Sequence, residues 1–161
     1  MGLLAAEVLE REQTIGGVLR TTCVHLTDAL DADASNLSRV IGQLLVDLVE
    51  FARDGRRIQL GRSYLLPDFP LTQEVIDSGE PRTVWLLDPD VEPSEAELLR
   101  ELDFDALLML PLQLDGRCWG LLEVYRTGGR RFTAEEVALG VEIVNAAGRV
   151  LEDLQRSAAA A

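Results

Sequence analysis

LLMLPLQLDGRCWGLLEVYRTGGRRFTAEE, running from Leu107 to Glu136, reads as an apolar hairpin followed by the start of a helix. Two apolar strands, Leu107–Leu114 and Cys118–Arg126, flank Asp115-Gly116, a dipeptide that tolerates the positive φ values of a two-residue hairpin turn. Beyond them, Phe132-Thr133-Ala134-Glu135-Glu136 offers an N-cap hydroxyl with a carboxylate three residues later, the capping-box pattern.

Working outward, the rest of the chain supplies elements of the same kind. Upstream, Leu4, Val8, Ile15, Leu19, Leu26 and Leu30 recur at helical intervals, predicting a leading helix over Leu3–Leu30 with a possible interruption at Gly16-Gly17. Part of this stretch has the three-four spacing of a short coiled-coil seam. Strands follow at Ser35–Ile41 and Leu44–Arg53, and a third begins at Ile58–Leu60. The segment Arg62–Phe69 then mixes turn residues with aromatics, a composition suited to a loop folded over something. Asp68 can cap a short helix that has Pro70 in its first turn and stops at Ser78-Gly79. Arg82–Leu87 reads as a fourth strand, Asp88–Pro93 as an acidic loop, and Ser94-Glu95-Ala96-Glu97 as a second capping box opening a helix to Leu102.

The last helix, Ala134 to about Gln155, carries two apolar stripes. Leu139, Ile143, Ala147, Val150 and Leu154 form one, and Val137, Val141, Val144 and Leu151 the other. One stripe covers a sheet; the second needs another apolar surface, either the leading helix or its copy in a partner. The division expected is a helical segment over 1–30, a globular domain over 31–157 and a disordered tail over 158–161.

Composition narrows the function classes. With 161 residues, 47% hydrophobic and 27% charged, the chain suits one globular domain with a real core. A net charge of −13 disfavours nucleic acid and anionic membrane as partners, since both bind through dense positive patches. No apolar run approaches the ~20 residues needed to cross a bilayer, and Met1–Ala6 lacks a basic start and cleavage site, so a cytoplasmic location is expected. Every basic side chain except His25 is an arginine. Cys23 and Cys118 form no CxxC and read as small buried hydrophobes.

The order of elements predicts an α+β fold: an antiparallel sheet with the first and last helices on one face, and loops plus short helices over the other. It resembles a GAF domain, a small-molecule sensor module related to PAS domains, over roughly Leu26 to Leu154. The resemblance rests on Asp68-Phe69-Pro70-Leu71-Thr72 followed by Ser78-Gly79-Glu80-Pro81, on Leu108-Met109-Leu110-Pro111-Leu112 with Gly120-Leu121-Leu122-Glu123-Val124-Tyr125, and on Phe132-Thr133. These match a branch common in bacterial signalling proteins.

That resemblance implies ligand classes that the residues can be checked against. Cyclic-nucleotide members carry a dispersed Asn-Lys, Phe, Asp-Glu signature; Phe132 and Glu136 stand in compatible places, but Thr127-Gly128-Gly129-Arg130-Arg131 replaces the Asn-Lys pair. Bilin members use a cysteine, commonly beside a histidine, on the covering helix, and Ser94–Leu102 contains neither. Haem needs an axial histidine, and His25 belongs to the leading helix. Members that reduce free methionine sulfoxide need a nucleophilic and a resolving cysteine, which leaves Cys118 with only the remote Cys23. The loop Asp88-x-Asp90-x-Glu92 begins like a calcium loop, but Pro93 replaces the sharp-turn glycine and Leu99 the closing glutamate.

Strand alternation puts Leu108, Leu110, Leu112, Trp119, Leu121, Glu123 and Tyr125 on one face of the hairpin, and Leu107, Met109, Cys118, Leu122 and Val124 on the other. Glu123 stands out, because an ionised carboxylate among leucines must find a partner or neutralise itself. Arg62, a cationic ligand group, or an arginine at a solvent edge could supply that partner. The ligand-binding candidates are therefore Arg62, Tyr64, Asp68, Phe69, Trp85, Leu108, Leu110, Glu123 and Tyr125, with no catalytic residue, metal or cofactor. The expected function is a non-catalytic regulatory sensor that binds a small molecule, dimerises through its first and last helices, and acts on a separate output protein or as part of a longer one. A ligand-free scaffold and a methionine sulfoxide reductase are the alternatives.

Overall fold

The computed structural model describes residues 14–58 and 62–160. Along the chain run α1 (Ile15–Ala29), β1 (Ala34–Ile41), β2 (Leu44–Ala52), β3 (Ser63–Leu65), a 3-10 turn (Leu66–Asp68), α2 (Pro70–Ser78), β4 (Arg82–Trp85), α3 (Pro93–Leu102), β5 (Ala106–Leu114), β6 (Arg117–Arg126) and α4 (Ala134–Ala160). The six strands form one antiparallel sheet in the order β3-β2-β1-β6-β5-β4.

Both faces of this sheet are covered, as its apolar strands require. On one side α1 and α4 bury Leu26, Leu37, Leu108, Leu110, Leu122, Val124, Ile143 and Leu151. On the other, the segment from β3 through α2, together with α3, buries Leu45, Leu66, Val75, Leu99, Leu107, Met109, Leu121 and Tyr125. The α+β arrangement expected from the sequence is the one observed. The two α4 stripes divide between the sheet and α1, because α1 packs directly against α4. A glycine lets α4 press closely on the sheet: a Cβ on Gly140 would stand 2.9 Å from Leu110 Cδ1, which would have to shift.

The β5–β6 turn forms as read, with Asp115 at φ +51° and Gly116 at +76°, the geometry that matches strand twist in a two-residue hairpin. The capping box at α4 also forms: Thr133 Oγ1 accepts from the Glu136 N–H at 3.2 Å, and Glu136 Oε1 accepts from the Thr133 N–H at 3.0 Å.

Several boundaries differ from the sequence reading. Residues 3–13 of the expected leading helix lie outside the described residues, as do 59 and 60 of the expected third strand; Ile58 is irregular, and β3 forms at Ser63–Leu65 against β2. Gly16-Gly17 falls in the first turn of α1, where the Thr14 hydroxyl accepts from the Gly17 N–H at 3.0 Å, so neither glycine breaks the helix. Asp68 belongs to the 3-10 turn and caps nothing; α2 starts at Pro70 without a side-chain cap. The cap of α3 is Glu92, whose carboxylate accepts from the Glu95 N–H at 2.9 Å, so the Ser94 box is replaced by one displaced upstream. At the other end α4 continues over Ala158–Ala160, where a tail was expected, since alanine is the best helix former.

Two β-bulges set which side chains share a face. In β6 the register moves from Gln113↔Cys118 to Leu112↔Gly120, leaving Trp119 as the extra residue. Arg39 holds that bulge, donating to Trp119 O at 2.8 Å with its guanidinium 4.5 Å above the indole. In β2, Ser38↔Asp47 is followed by Leu37↔Val49, leaving Leu48 unmatched. An extra residue reverses the alternation of everything beyond it. Glu123 and Tyr125 therefore lie on the opposite face from Leu108 and Leu110, and the grouping expected from uninterrupted alternation is corrected.

Candidate functional site

On the face covered by α2 and α3, the register brings a row of polar residues together. Glu123 of β6 pairs with Asn36 on β1 and with Met109 on β5, and Ser38 of β1 pairs with Asp47 on β2. Asn36 Nδ2 donates to Asp47 Oδ1 at 3.3 Å, and the Ser38 hydroxyl donates to the same oxygen. From the cover, the Thr72 hydroxyl of α2 donates to Glu95 Oε1 of α3 and lies 3.5 Å from Met109 Sδ. Glu95 is buried because α3 is capped by Glu92, which leaves the Glu95 side chain on the inward stripe with Ala96 and Leu99.

Between sheet and cover is a cavity of about 10 Å³ lined by Leu45, Tyr64, Leu66, Phe69, Thr72, Glu95, Leu98 and Glu123. A space of that size holds about one water. Tyr64 meets Phe69 edge to face, ring centroids 5.6 Å apart, and the two form an aromatic wall.

Three carboxyls from three elements meet here in low-dielectric surroundings. Burial pushes Glu95 up to about 7, opposed by the Thr72 hydrogen bond and reinforced by Glu92. Burial likewise pushes Asp47 up to about 6, opposed by Ser38. Glu123 is raised well above the usual carboxylate range, first by burial and then by Glu95 and Asp47. Burial first, and then the adjacent Glu123 carboxyl, push the Tyr125 hydroxyl well above its ordinary range, and that hydroxyl has no well-formed hydrogen bond. Asp47 Oδ2 and the Tyr64 hydroxyl are unpartnered as well.

Of the residues singled out from sequence, Tyr64, Phe69 and Glu123 meet at this cavity, and Tyr125 lies beside it, stacked on Phe104 at 4.8 Å. Arg62 is exposed and makes no ion pair with Glu123; its carbonyl accepts from the Asp47 N–H at 3.1 Å. Asp68 is exposed on the 3-10 turn. Trp85 lies on β4 at the far edge of the sheet, where its Nε1 donates to Gly129 O at 2.9 Å and its ring packs against the helix-side core. Leu108 and Leu110 lie beneath α4.

Asp47, Glu95 and Thr72 were missed. Asp47 carried a readable signal, being a lone acid in the apolar run Leu44–Val49, much as Glu123 is in its own strand. Glu95 was hidden by its reading as part of a capping box, and Thr72 by its place in the family-like Asp68–Thr72 segment.

The other chemistries can be placed. Cys23 is fully buried in the helix-side core with its thiol pushed up to about 12 by burial, and burial also raises Cys118 at the hairpin end. Neither lines the cavity, so no thiolate or resolving pair stands there. Asp88 Oδ1 accepts from the Asp90 N–H at 2.9 Å, a local turn bond. Among the described residues, no group of three or more His, Cys, Asp or Glu is placed to hold a metal ion, and no helix is long and apolar enough to cross a membrane.

Glu136 has a structural role. It pairs with Arg126, a fully buried guanidinium that also donates to Leu30 O and Arg131 O and lies 4.1 Å over the Phe132 ring. This contact holds Glu136 down at about 2.

Comparison with known proteins agrees with this architecture. The phycocyanobilin-bound GAF domain of a cyanobacterial phytochrome superposes with a TM-score of 0.85 at 14% identity, over 98% of this chain and 97% of that one. The blue-light absorbing form of the Thermosynechococcus elongatus PixJ GAF domain gives 0.78 at 17% identity, over 91% and 89%. The chromophore-binding domain of the R. palustris bacteriophytochrome RpBphP3 gives 0.83 at 12% identity, over 97% of this chain, which spans 61% of that domain. A search among curated protein sequences returned no match. The GAF domain family model matches residues 14–151, which includes α1 and nearly all of the sheet and helices described above, and the chain belongs to the GAF domain family.

Proposed function

We propose that this chain is a non-catalytic regulatory sensor domain that takes a small molecule into the cavity beneath α2 and α3. The observation that carries this reading is the set of unsatisfied polar groups around that cavity. Asp47 Oδ2 and the Tyr64 and Tyr125 hydroxyls are positioned at high desolvation cost without partners of their own, beside the buried Glu123 carboxyl. A fold that needed only a core would be better served by apolar side chains at these positions.

A bilin, the ligand named for a related structure, fits these residues poorly. Neither cysteine nor histidine lines the cavity, and two carboxyls, Glu95 and Glu123, do. The guest must be small, or the Phe69 and Leu98 side of the cover must move outward. Movement of the cover would couple ligand to the rest of the domain, with an effect limited to the ligand's differential affinity for the two arrangements.

The readout proposed is a homodimer formed through α1 and α4, acting on an output domain or partner. Support for the α4 half of that interface comes from an open groove along α4, lined by Val137, Ala138, Val141 and Val144 against Gly79–Pro81 and Leu110. Sedimentation at micromolar concentration should give a dimer, and a monomer would remove this part of the reading. For the sensor itself, a thermal-shift screen of metabolites should yield a compound that raises the Tm of the wild-type chain and not that of a Phe69→Trp variant, whose cavity is filled. If no compound shifts the Tm, the water-sized cavity is a collapsed core and the domain is a scaffold.

A further inference from the structure

We propose that the α2–α3 cover is a pH-operated switch, closed on the sheet while the acids facing each other across that interface are protonated and lifted when they ionise. Such a switch needs no bound compound and goes beyond the small-molecule reading above. The way α3 is seated is the starting point. Ala96 and Leu99 lie on its inward stripe, and the third residue of that stripe is an acid, Glu95, only 1% exposed. On the sheet side Glu123 of β6 is 5% exposed, and the two side chains line the same water-sized void, one from the cover and one from the sheet. Glu95 Oε1 accepts from the Thr72 hydroxyl of α2, that hydroxyl lies 3.5 Å from Met109 Sδ, and Met109 is paired with Glu123 in the β5–β6 ladder.

Among the described residues no arginine or histidine lines that void, so no cation stands between the two acids. As neutral acids they can donate hydrogen bonds and stay buried; as a pair of anions they would repel each other where water does not screen them. One belongs to the sheet and the other to α3, so lifting the cover is the motion that hydrates both. The cover is also the weaker layer. Its helices are nine and ten residues long, against the 27 of α4 on the opposite face, and elements with little buried area open first.

The sign follows from the charges around each acid. Glu95 faces Glu92 on its own helix and Glu123 from β6; Glu123 also faces Asp47 from β2, Tyr64 from β3 and Tyr125 from its own strand; Asp47 faces Glu50 and Arg62. Arg62 favours the charged form of Asp47, which opposes the switch at that residue and leaves Glu95 and Glu123 to carry it. In the closed state burial raises Glu95 from 4.5 to about 7 and Glu123 well above 4.5. With the cover open both return towards the ordinary value, so opening releases protons. It is favoured as pH rises, by up to about tenfold per pH unit for each proton released.

Hydrogen–deuterium exchange of the full chain near pH 6 and near pH 8 tests this, read as protection factors so that the pH dependence of free amides divides out. Protection in α2 and α3 should fall at least about tenfold between the two conditions, while at both it stays below that in the middle of α4 and circular dichroism shows the helices retained. Glu95→Gln keeps the shape of the protonated acid without its charge, and should restore protection of the cover near pH 8. Glu95→Gln combined with Glu123→Gln should remove nearly all of the pH dependence. The switch is overturned if protection of the cover is unchanged or rises from pH 6 to pH 8, if the cover and the middle of α4 lose protection together to one level, or if the wild-type pH dependence survives in Glu95→Gln. None of these results decides the small-molecule reading, which stands or falls on the thermal-shift screen.

Discussion

Glu95 shows how one side chain's surroundings set a property of the whole domain. Its folded value, about 7, lies above the ordinary 4.5, so protonation favours the folded state. The stability it contributes is fully present below 4.5 and is lost as pH rises through about 7. Asp47 acts in the same sense between 3.8 and about 6. The Tm should therefore fall between pH 5 and pH 8, and Glu95→Gln should flatten that dependence and raise the Tm near pH 8. A wild-type Tm that rises over this interval would contradict the burial of these acids. Glu136 has the opposite sign, because Arg126 holds its folded value at about 2 against an ordinary 4.5. Its contribution is present above 4.5 and lost as pH falls towards 2. Glu136→Ala would leave the Arg126 guanidinium buried without its carboxylate, at a cost of about 3 kcal/mol by denaturant titration.

At the scale of elements, the bulges in β2 and β6 matter more to the site than any propensity. Two strands joined by a two-residue turn would keep Leu108 and Glu123 on one face; Trp119, as the extra residue, separates them. Deleting Trp119 should close the ladder directly from Gln113–Cys118 to Leu112–Gly120, leaving Glu123 opposite Met109 on its present face and removing only the bulge and its Arg39 contact. The expected result is a folded domain that unfolds cooperatively with a lowered Tm, whereas loss of cooperative unfolding would show that the bulge itself is needed to hold the strand in register. The packing of α4 is equally exacting. Gly140→Val adds a branched side chain where even a Cβ would stand 2.9 Å from Leu110, and should destabilise the domain by about 1–3 kcal/mol in urea titration.

Across the whole molecule, the sheet separates a dry helical layer from a polar covered layer. The α1 and α4 side is mostly aliphatic, with the buried Arg126 paired to Glu136 at one end and hydroxyls bonded back to their own helix: Thr22 donates to Val18 O at 2.7 Å and Thr27 to Cys23 O at 2.9 Å. The α2 and α3 side holds the three buried acids, and its elements are short. Elements with little buried area open at lower free energy than a long packed helix. Amide hydrogen exchange should accordingly be faster in α2 and α3 than in the middle of α4, and occupation of the cavity should slow exchange in the cover first. Uniform protection across both layers would argue against a cover that moves.

Local rules acting over a few residues made much of this legible in advance. The Asp115-Gly116 turn, the Thr133/Glu136 capping box, the two apolar stripes of the last helix and the isolated acid Glu123 can all be read from neighbours in the chain. So could the class of fold, since alternating apolar strands bracketed by amphipathic helices admit few arrangements. Three decisions were left to tertiary structure. The bulges at Trp119 and Leu48 chose the faces, because an extra residue leaves no distinct mark in an apolar run. The Glu92 cap turned Glu95 inward, because two overlapping capping patterns compete and packing of Ala96 and Leu99 selects between them. Finally, the meeting of Asp47, Glu95 and Glu123 joins positions far apart in the chain, and only the pairing of β1 with both β2 and β6 brings such positions into one low-dielectric space.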